Sequence, residues 1–266
     1  MSVLDDHAVE ISGEGPRTLV LAHGYGCDKS MWRDLVPLLE DGARVVRYDL
    51  SGSGAAAPGR YDFDRHASLR GHADDLAAVL DALDAPGPVT LVGHSVSAMT
   101  AALAAAARPE RVDRVVMVCP SPSFVDDAPY VGGFAREDVL ALLDTVDSNY
   151  LGWSEQMAPA IMGVPDRPAL GERLHASFCR TDPAVARHFA RVTFLADHRE
   201  DVRRFDRPTL VLQCREDVIV PPAVGAWMEA EMPDARLVVL DATGHCPHMS
   251  APRETADAIR AFLEAA

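Results

Sequence analysis

The sequence predicts an α/β protein built on a mostly parallel sheet with helices on both faces, interrupted by an inserted four-helix cap. Three observations carry that reading. Short β-branched or leucine-rich runs alternate with helical patterns through most of the chain. A serine stands between one such run and a helix in a tight, glycine-containing turn. The alternation then lapses between about Ser121 and Arg204, where no convincing strand can be traced.

The strand candidates are Thr18 to Ala22, Arg44 to Leu50, Val89 to Gly93, Val112 to Cys119, Thr209 to Gln213 and Leu237 to Leu240. Near-continuous apolar runs such as Val115, Val116, Met117 and Val118 are expected where helices cover both faces of a parallel sheet. Between strands, Leu69, Leu76, Val79, Leu80 and Leu83 recur at helical spacing, as do the alanines that follow Ser95 through Ala107. The interval without strands reads as four helices, roughly Arg136 to Tyr150, Ser154 to Met162, Pro168 to Cys179 and Pro183 to His198. Asp182 before Pro183 is a helix-start signal, a capping carboxylate followed by proline at the first helical position. The expected division is therefore a core over residues 1–121, a helical cap over 122–204, and the rest of the core over 205–266.

Composition narrows the function classes. The balance of 25 basic against 40 acidic residues, a net charge of −15, would repel both a nucleic-acid backbone and an anionic membrane, so neither is expected as a partner. The five cysteines (Cys27, Cys119, Cys179, Cys214 and Cys246) are odd in number and form no Cys-x-x-Cys pair, which points to free thiols rather than a disulfide framework or a zinc knuckle. The acidic start of the chain does not read as a signal peptide, and no stretch reaches the ~18 apolar residues of a membrane span. A cytoplasmic address is expected.

The segment Thr90-Leu-Val-Gly-His-Ser-Val-Ser-Ala98 is a near match to the Gly-x-Ser-x-Gly nucleophile elbow, in which a strained strand-to-helix turn exposes a serine hydroxyl. Ser97 replaces the second glycine. Taken alone, the segment reads equally well as a serine that caps the following helix. A serine hydroxyl needs a base, and the base a carboxylate to orient it; in the α/β-hydrolase fold these follow in the order Ser, Asp or Glu, His. Asp217, after the strand from Thr209, and His245, after the strand ending at Leu240, complete that order at carboxyl ends of strands, where α/β active sites form. Glu216 and His248 are the adjacent competitors. Two backbone N–H groups should stabilise the oxyanion: that of Val96 after the nucleophile, and that of Tyr25 in His23-Gly-Tyr-Gly26 after the first core strand. A metal reading of His245-Cys-Pro-His248 lacks a second ligand cluster, and Ser51-Gly-Ser-Gly54 matches no phosphate loop. Neither a metal nor a cofactor is expected.

The segments His23-Gly-Tyr-Gly-Cys-Asp28, Gly93-His-Ser-Val-Ser-Ala98, Tyr130-Val-Gly-Gly-Phe134, Asn149-Tyr-Leu-Gly-Trp153, Phe178-Cys-Arg-Thr-Asp-Pro183, Asp197-His-Arg-Glu-Asp201 and Gly244-His-Cys-Pro-His-Met-Ser250 together resemble the RsbQ family. These are bacterial energy-stress regulator hydrolases, similar in turn to the plant strigolactone and karrikin receptors. The resemblance spans nearly the whole chain. It implies a V-shaped cap over a deep hydrophobic pocket that cleaves or senses a small apolar compound, and a regulatory role through a partner phosphatase. Tyr25 departs from the phenylalanine common in these families, and Ser97 is shared with the plant receptors where RsbQ has glycine.

The expected pocket residues are Tyr25, His94, Phe124, Phe134, Val139, Trp153, Phe189 and Val192, although helical spacing cannot sort pocket lining from cap core. The leading expectation is a serine hydrolase acting on a small hydrophobic ester or lactone: Ser95 attacks, His245 shuttles the proton, Asp217 orients His245, and Tyr25 and Val96 hold the oxyanion. Two alternatives stand beside it, a slow ligand-sensing module that activates a phosphatase, and a perhydrolase or non-haem haloperoxidase using the same residues.

Overall fold

A seven-stranded sheet forms the core of the computed structural model, which describes residues 2–265. Its strands are β1 (Glu10–Ser12), β2 (Arg17–Ala22), β3 (Ala43–Arg47), β4 (Val89–His94), β5 (Val112–Val118), β6 (Thr209–Glu216) and β7 (Ala235–Thr243), in the spatial order β1-β3-β2-β4-β5-β6-β7. All neighbours run parallel except β1, which pairs antiparallel with β3. The sequence missed β1 because a three-residue edge strand with mostly exposed side chains shows neither an apolar run nor an alternation. The central β4 is buried at every position, as a strand covered on both faces must be.

The helices are α1 (Val3–Asp6), α2 (Val36–Leu39), α3 (Leu69–Ala82), α4 (Val96–Ala107), α5 (Arg136–Met162), α6 (Pro168–Phe178), α7 (Pro183–Phe194), α8 (Arg199–Arg203), α9 (Pro222–Glu231), α10 (Pro247–Ser250) and α11 (Pro252–Glu264). Helix α4 lies against β4 and β5 with α3 packed on it, while α9 and α11 pack against β6 and β7. Every residue of α4 from Val96 to Ala105 is buried. A helix enclosed on all sides needs small side chains to approach its neighbours closely, and the alanine run supplies them.

Helices α5, α6, α7 and α8 fall within residues 122–204 and differ from the sequence reading in where α5 breaks, where α7 ends, and in the short α8, which was not expected. The two helices expected on either side of residues 151–153 are both present within α5, but they meet at a kink at Asn149, whose backbone is non-helical (φ −153°, ψ 73°), rather than at 151–153. The Asn149 side chain accepts the Gly152 N–H at 3.0 Å and so caps the second half of the helix. Helix α7 stops at Phe194 rather than His198, because Asp197 bridges to Ser123 and the His198 N–H donates to the Pro122 carbonyl at 2.7 Å, tying residues 197–198 back to 122–123. Its start is the expected one: the Asp182 carboxylate accepts the Ala184 N–H at 2.7 Å, and Pro183 follows.

Candidate active site

Three loops at the carboxyl ends of β4, β6 and β7 bring Ser95, Asp217 and His245 together. Ser95 adopts φ 55°, ψ −123°, a left-handed conformation rare for a side chain with a Cβ. Its own N–H is held by the Val118 carbonyl of β5 at 2.8 Å. The turn tolerates no side chain at Gly93, where a Cβ would stand 2.3 Å from the Ser97 carbonyl oxygen. The turn after β7 likewise tolerates none at Gly244 (φ 84°), where a Cβ would stand 2.1 Å from the Met162 carbonyl oxygen; this lets the N–H of the next residue, His245, donate to the Ile161 carbonyl at 2.7 Å.

The Ser95 hydroxyl lies 2.8 Å from His245 Nε2, and His245 Nδ1 lies 2.7 Å from Asp217 Oδ2. That geometry assigns the proton of neutral His245 to Nδ1, donating to the carboxylate, and leaves the Nε2 lone pair facing the serine. The Asp217 side chain is fully buried. Burial pushes its carboxyl up, but His245 together with the Ile219 and Val220 N–H groups, at 2.8 and 3.2 Å, holds it below the usual carboxylate range. The competitor Glu216 is exposed, and among the described residues His248 has no hydrogen-bond partner at either ring nitrogen.

Beside Ser95, neither the Val96 nor the Tyr25 backbone N–H has an acceptor among the described residues. Two unpaired donors at a helix start and in the adjoining loop are what a developing oxyanion requires. The loop that carries Tyr25 is held from the core side. The Ser97 hydroxyl donates to the His23 carbonyl, His23 Nε2 accepts the Leu50 N–H at 3.1 Å, and His23 Nδ1 donates to the Gly24 carbonyl at 3.0 Å. Ser97 therefore performs a bond that a glycine could not make. His94, in contact with Gly24, donates from Nε2 to the His245 carbonyl at 2.8 Å and is pushed down to about 3 by burial and by His245, which keeps it neutral.

Above Ser95 lies a narrow cavity of about 40 Å³. Of the expected lining residues, Tyr25, His94, Phe124 and Trp153 face it. The other four do not. Val139 is buried in the packing of α5, and Phe189 sits one layer back, its ring 5.7 Å from Tyr25 and 4.4 Å from His72. Val192 faces an outer groove beside His188 and Leu195, and Phe134 precedes α5 with its main chain paired to Phe124. The lining that sequence reasoning missed includes Leu142, Leu174, Phe178, Thr193, Phe194 and Ile219. Phe178 stands in a motif already quoted, but spacing could not say which face of α6 or α7 turns inward.

His94, Cys246 and His248 bring possible ligand atoms within 4.8 Å of one another, as do Cys119, Asp217 and His245. In the first set His94 Nε2 is engaged by a carbonyl and burial holds the Cys246 thiol protonated; in the second, Asp217 and His245 are bonded to each other. Neither set is poised to hold a metal. All five cysteines are free thiols, four of them buried, and among the described residues no helix is long and apolar enough to cross a membrane.

Residues 19–258 match the model of the alpha/beta hydrolase family. The chain is 36% identical over 248 residues to karrikin insensitive 2 receptor IA of Petunia hybrida, covering 93% of this chain and 90% of that one. It is 33% identical over 263 residues to strigolactone esterase D14 of Arabidopsis thaliana, covering 98% of each. Among solved structures, a hydrolase from Oleispira antarctica superposes with a TM-score of 0.95 at 38% identity, covering 98% of this chain and 96% of that one.

Proposed function

The chain belongs to the alpha/beta hydrolase family, and on that premise we propose that it is a serine esterase or lactonase acting on a small hydrophobic substrate. The observation that carries this reading is the hydrogen-bonded chain Ser95–His245–Asp217 lining an apolar cavity, with the unpaired N–H groups of Val96, which follows the serine, and of Tyr25, which lines the same cavity. Ser95 Oγ attacks the carbonyl carbon while its proton passes to His245 Nε2; the imidazolium is stabilised by Asp217, and the oxyanion is held by the N–H groups of Tyr25 and Val96. Collapse expels the alcohol, which takes the proton from His245. Water, deprotonated by the same imidazole, then releases the acid and restores Ser95. These steps run on the chain's own residues. The small cavity favours a short acyl group, since sites for drug-sized ligands run to ~300–1,000 Å³.

Assays with p-nitrophenyl acetate test the reading. The folded Ser95→Ala variant is expected to lose ~10⁴-fold or more of kcat, the scale of nucleophile deletions in serine hydrolases; near-normal turnover would overturn the assignment.

A second reading is favoured by one observation, the receptor named among the full-length relatives. Here hydrolysis is slow, the ligand shifts the cap, and a cytoplasmic partner phosphatase in a stress response reads the shift. Leu140 and Leu151, exposed on α5, offer the probe. Replacing them by glutamate should silence a stress-response reporter while ester hydrolysis stays intact; parallel loss of both would leave the enzyme reading alone.

A further inference from the structure

Tyr25 belongs to the core by its main chain and to the cap by its side chain. Its backbone N–H is one of the two unpaired donors beside Ser95. Its ring stands among aromatic rings from all three large cap helices: Trp153 of α5 at 6.2 Å between centroids, Phe178 of α6 at 6.1 Å, and Phe189 and Phe194 of α7 at 5.7 and 6.1 Å. Its hydroxyl donates to the main-chain carbonyl of Ala186, in the first turn of α7, at 3.0 Å. Burial pushes the phenol well above its ordinary range, so it stays a donor. The neighbouring Gly26 (φ 68°) packs directly on the Phe178 ring, where a Cβ would fall 1.9 Å from a ring carbon. The oxyanion loop is thus clasped between two supports, Ser97 and His23 from below and Tyr25 and Phe178 from above.

We infer that Tyr25 is a positioning residue whose hydroxyl latches α7 to the oxyanion loop, so that efficient turnover is confined to acyl groups that fit with α7 in place. The inference rests on the esterase reading. The narrow cavity is lined by Trp153, Phe178 and Phe194, so a longer acyl chain presses against these cap aromatics. While the hydroxyl holds Ala186, a shift of α7 pulls on Tyr25 and so on the N–H that must meet the oxyanion. An interaction lost only in the transition state lowers kcat, whereas obstructed entry raises KM. The latch therefore acts chiefly on kcat, and acts more strongly as the acyl chain lengthens. A phenylalanine at this position keeps the ring packing and lacks the latch.

The test is Tyr25→Phe, assayed beside the wild type on p-nitrophenyl acetate, butyrate and octanoate, with thermal unfolding to show that both fold alike. The expected result is a kcat on acetate lowered by about three- to tenfold, the worth of one neutral hydrogen bond, at unchanged KM. The ratio of octanoate to acetate kcat should rise by at least a similar factor. An unchanged ratio, or a change confined to KM and uniform across the three esters, would overturn the latch while leaving the esterase reading intact. Absence of Ser95-dependent hydrolysis in the wild type would overturn both.

Discussion

Asp217 and His245 show what a single side chain does at this site and how much of it a sequence can disclose. Their order after Ser95 and their places just beyond strand ends were legible, because a catalytic group in this architecture must stand at a strand's carboxyl end. The pairing itself, one buried carboxylate oxygen on Nδ1 with the other on two backbone N–H groups, is a tertiary fact. Asp217→Asn should keep the fold but favour the wrong imidazole tautomer, and we expect kcat to fall by ~10⁴, as for the equivalent change in other triads. A fall of less than tenfold, measured on p-nitrophenyl acetate, would remove Asp217 from the relay. The depressed carboxyl has its own pH signature: its contribution to stability is complete above its unfolded value of ~3.9 and is lost only as pH falls through the lower folded value. Asp217 therefore plays no part in any change between pH 5 and 8.

Helix α7 shows the same mixture at the level of an element. Its start was readable because the cap is local: Asp182 accepts N–H groups two and three residues on, and Pro183 has none to offer. Its buried stripe, Ala186, Phe189, Ala190, Thr193 and Phe194, has helical spacing, yet the sequence could not tell that Thr193 and Phe194 reach the cavity while Val192 turns to an outer groove. That choice depends on how the helix is docked. The break between the two helices of α5 was expected at residues 151–153 and falls at Asn149 for a related reason, since helical spacing shows that a break exists but not which residue caps the second helix. Asp182→Ala should cost about 1 kcal/mol of stability, read by urea denaturation. A cost near zero would mean that the first turn of α7 is held by the Tyr25 hydroxyl and side-chain packing instead.

The acidity and the buried histidines act on the molecule as a whole. His23, His72, His94 and His248 are each pushed below the ordinary histidine value, first by burial, with His72 and His94 down to about 3. The unfolded chain takes up these protons near pH 6.5 and the folded one does not, so stability is fullest above pH 6.5 and declines as pH falls toward the folded values. Each such histidine contributes up to ~1.4 kcal/mol per pH unit within that window. The urea midpoint should accordingly drop clearly between pH 7.5 and pH 5, and a constant midpoint would contradict the buried, neutral state of these rings. Histidines scattered along a sequence give no hint of this; only the close packing of Trp32, His94 and His248 beneath the site reveals it. At the same scale lies the central claim, that this fold presents one activated serine under its cap. Its most direct measurement is mass mapping of the protein after exposure to a fluorophosphonate, in wild type and in Ser95→Ala. The expected result is one adduct per chain, on the peptide containing Ser95, and none in the variant; an adduct on another residue, or none on the folded wild type, would contradict it.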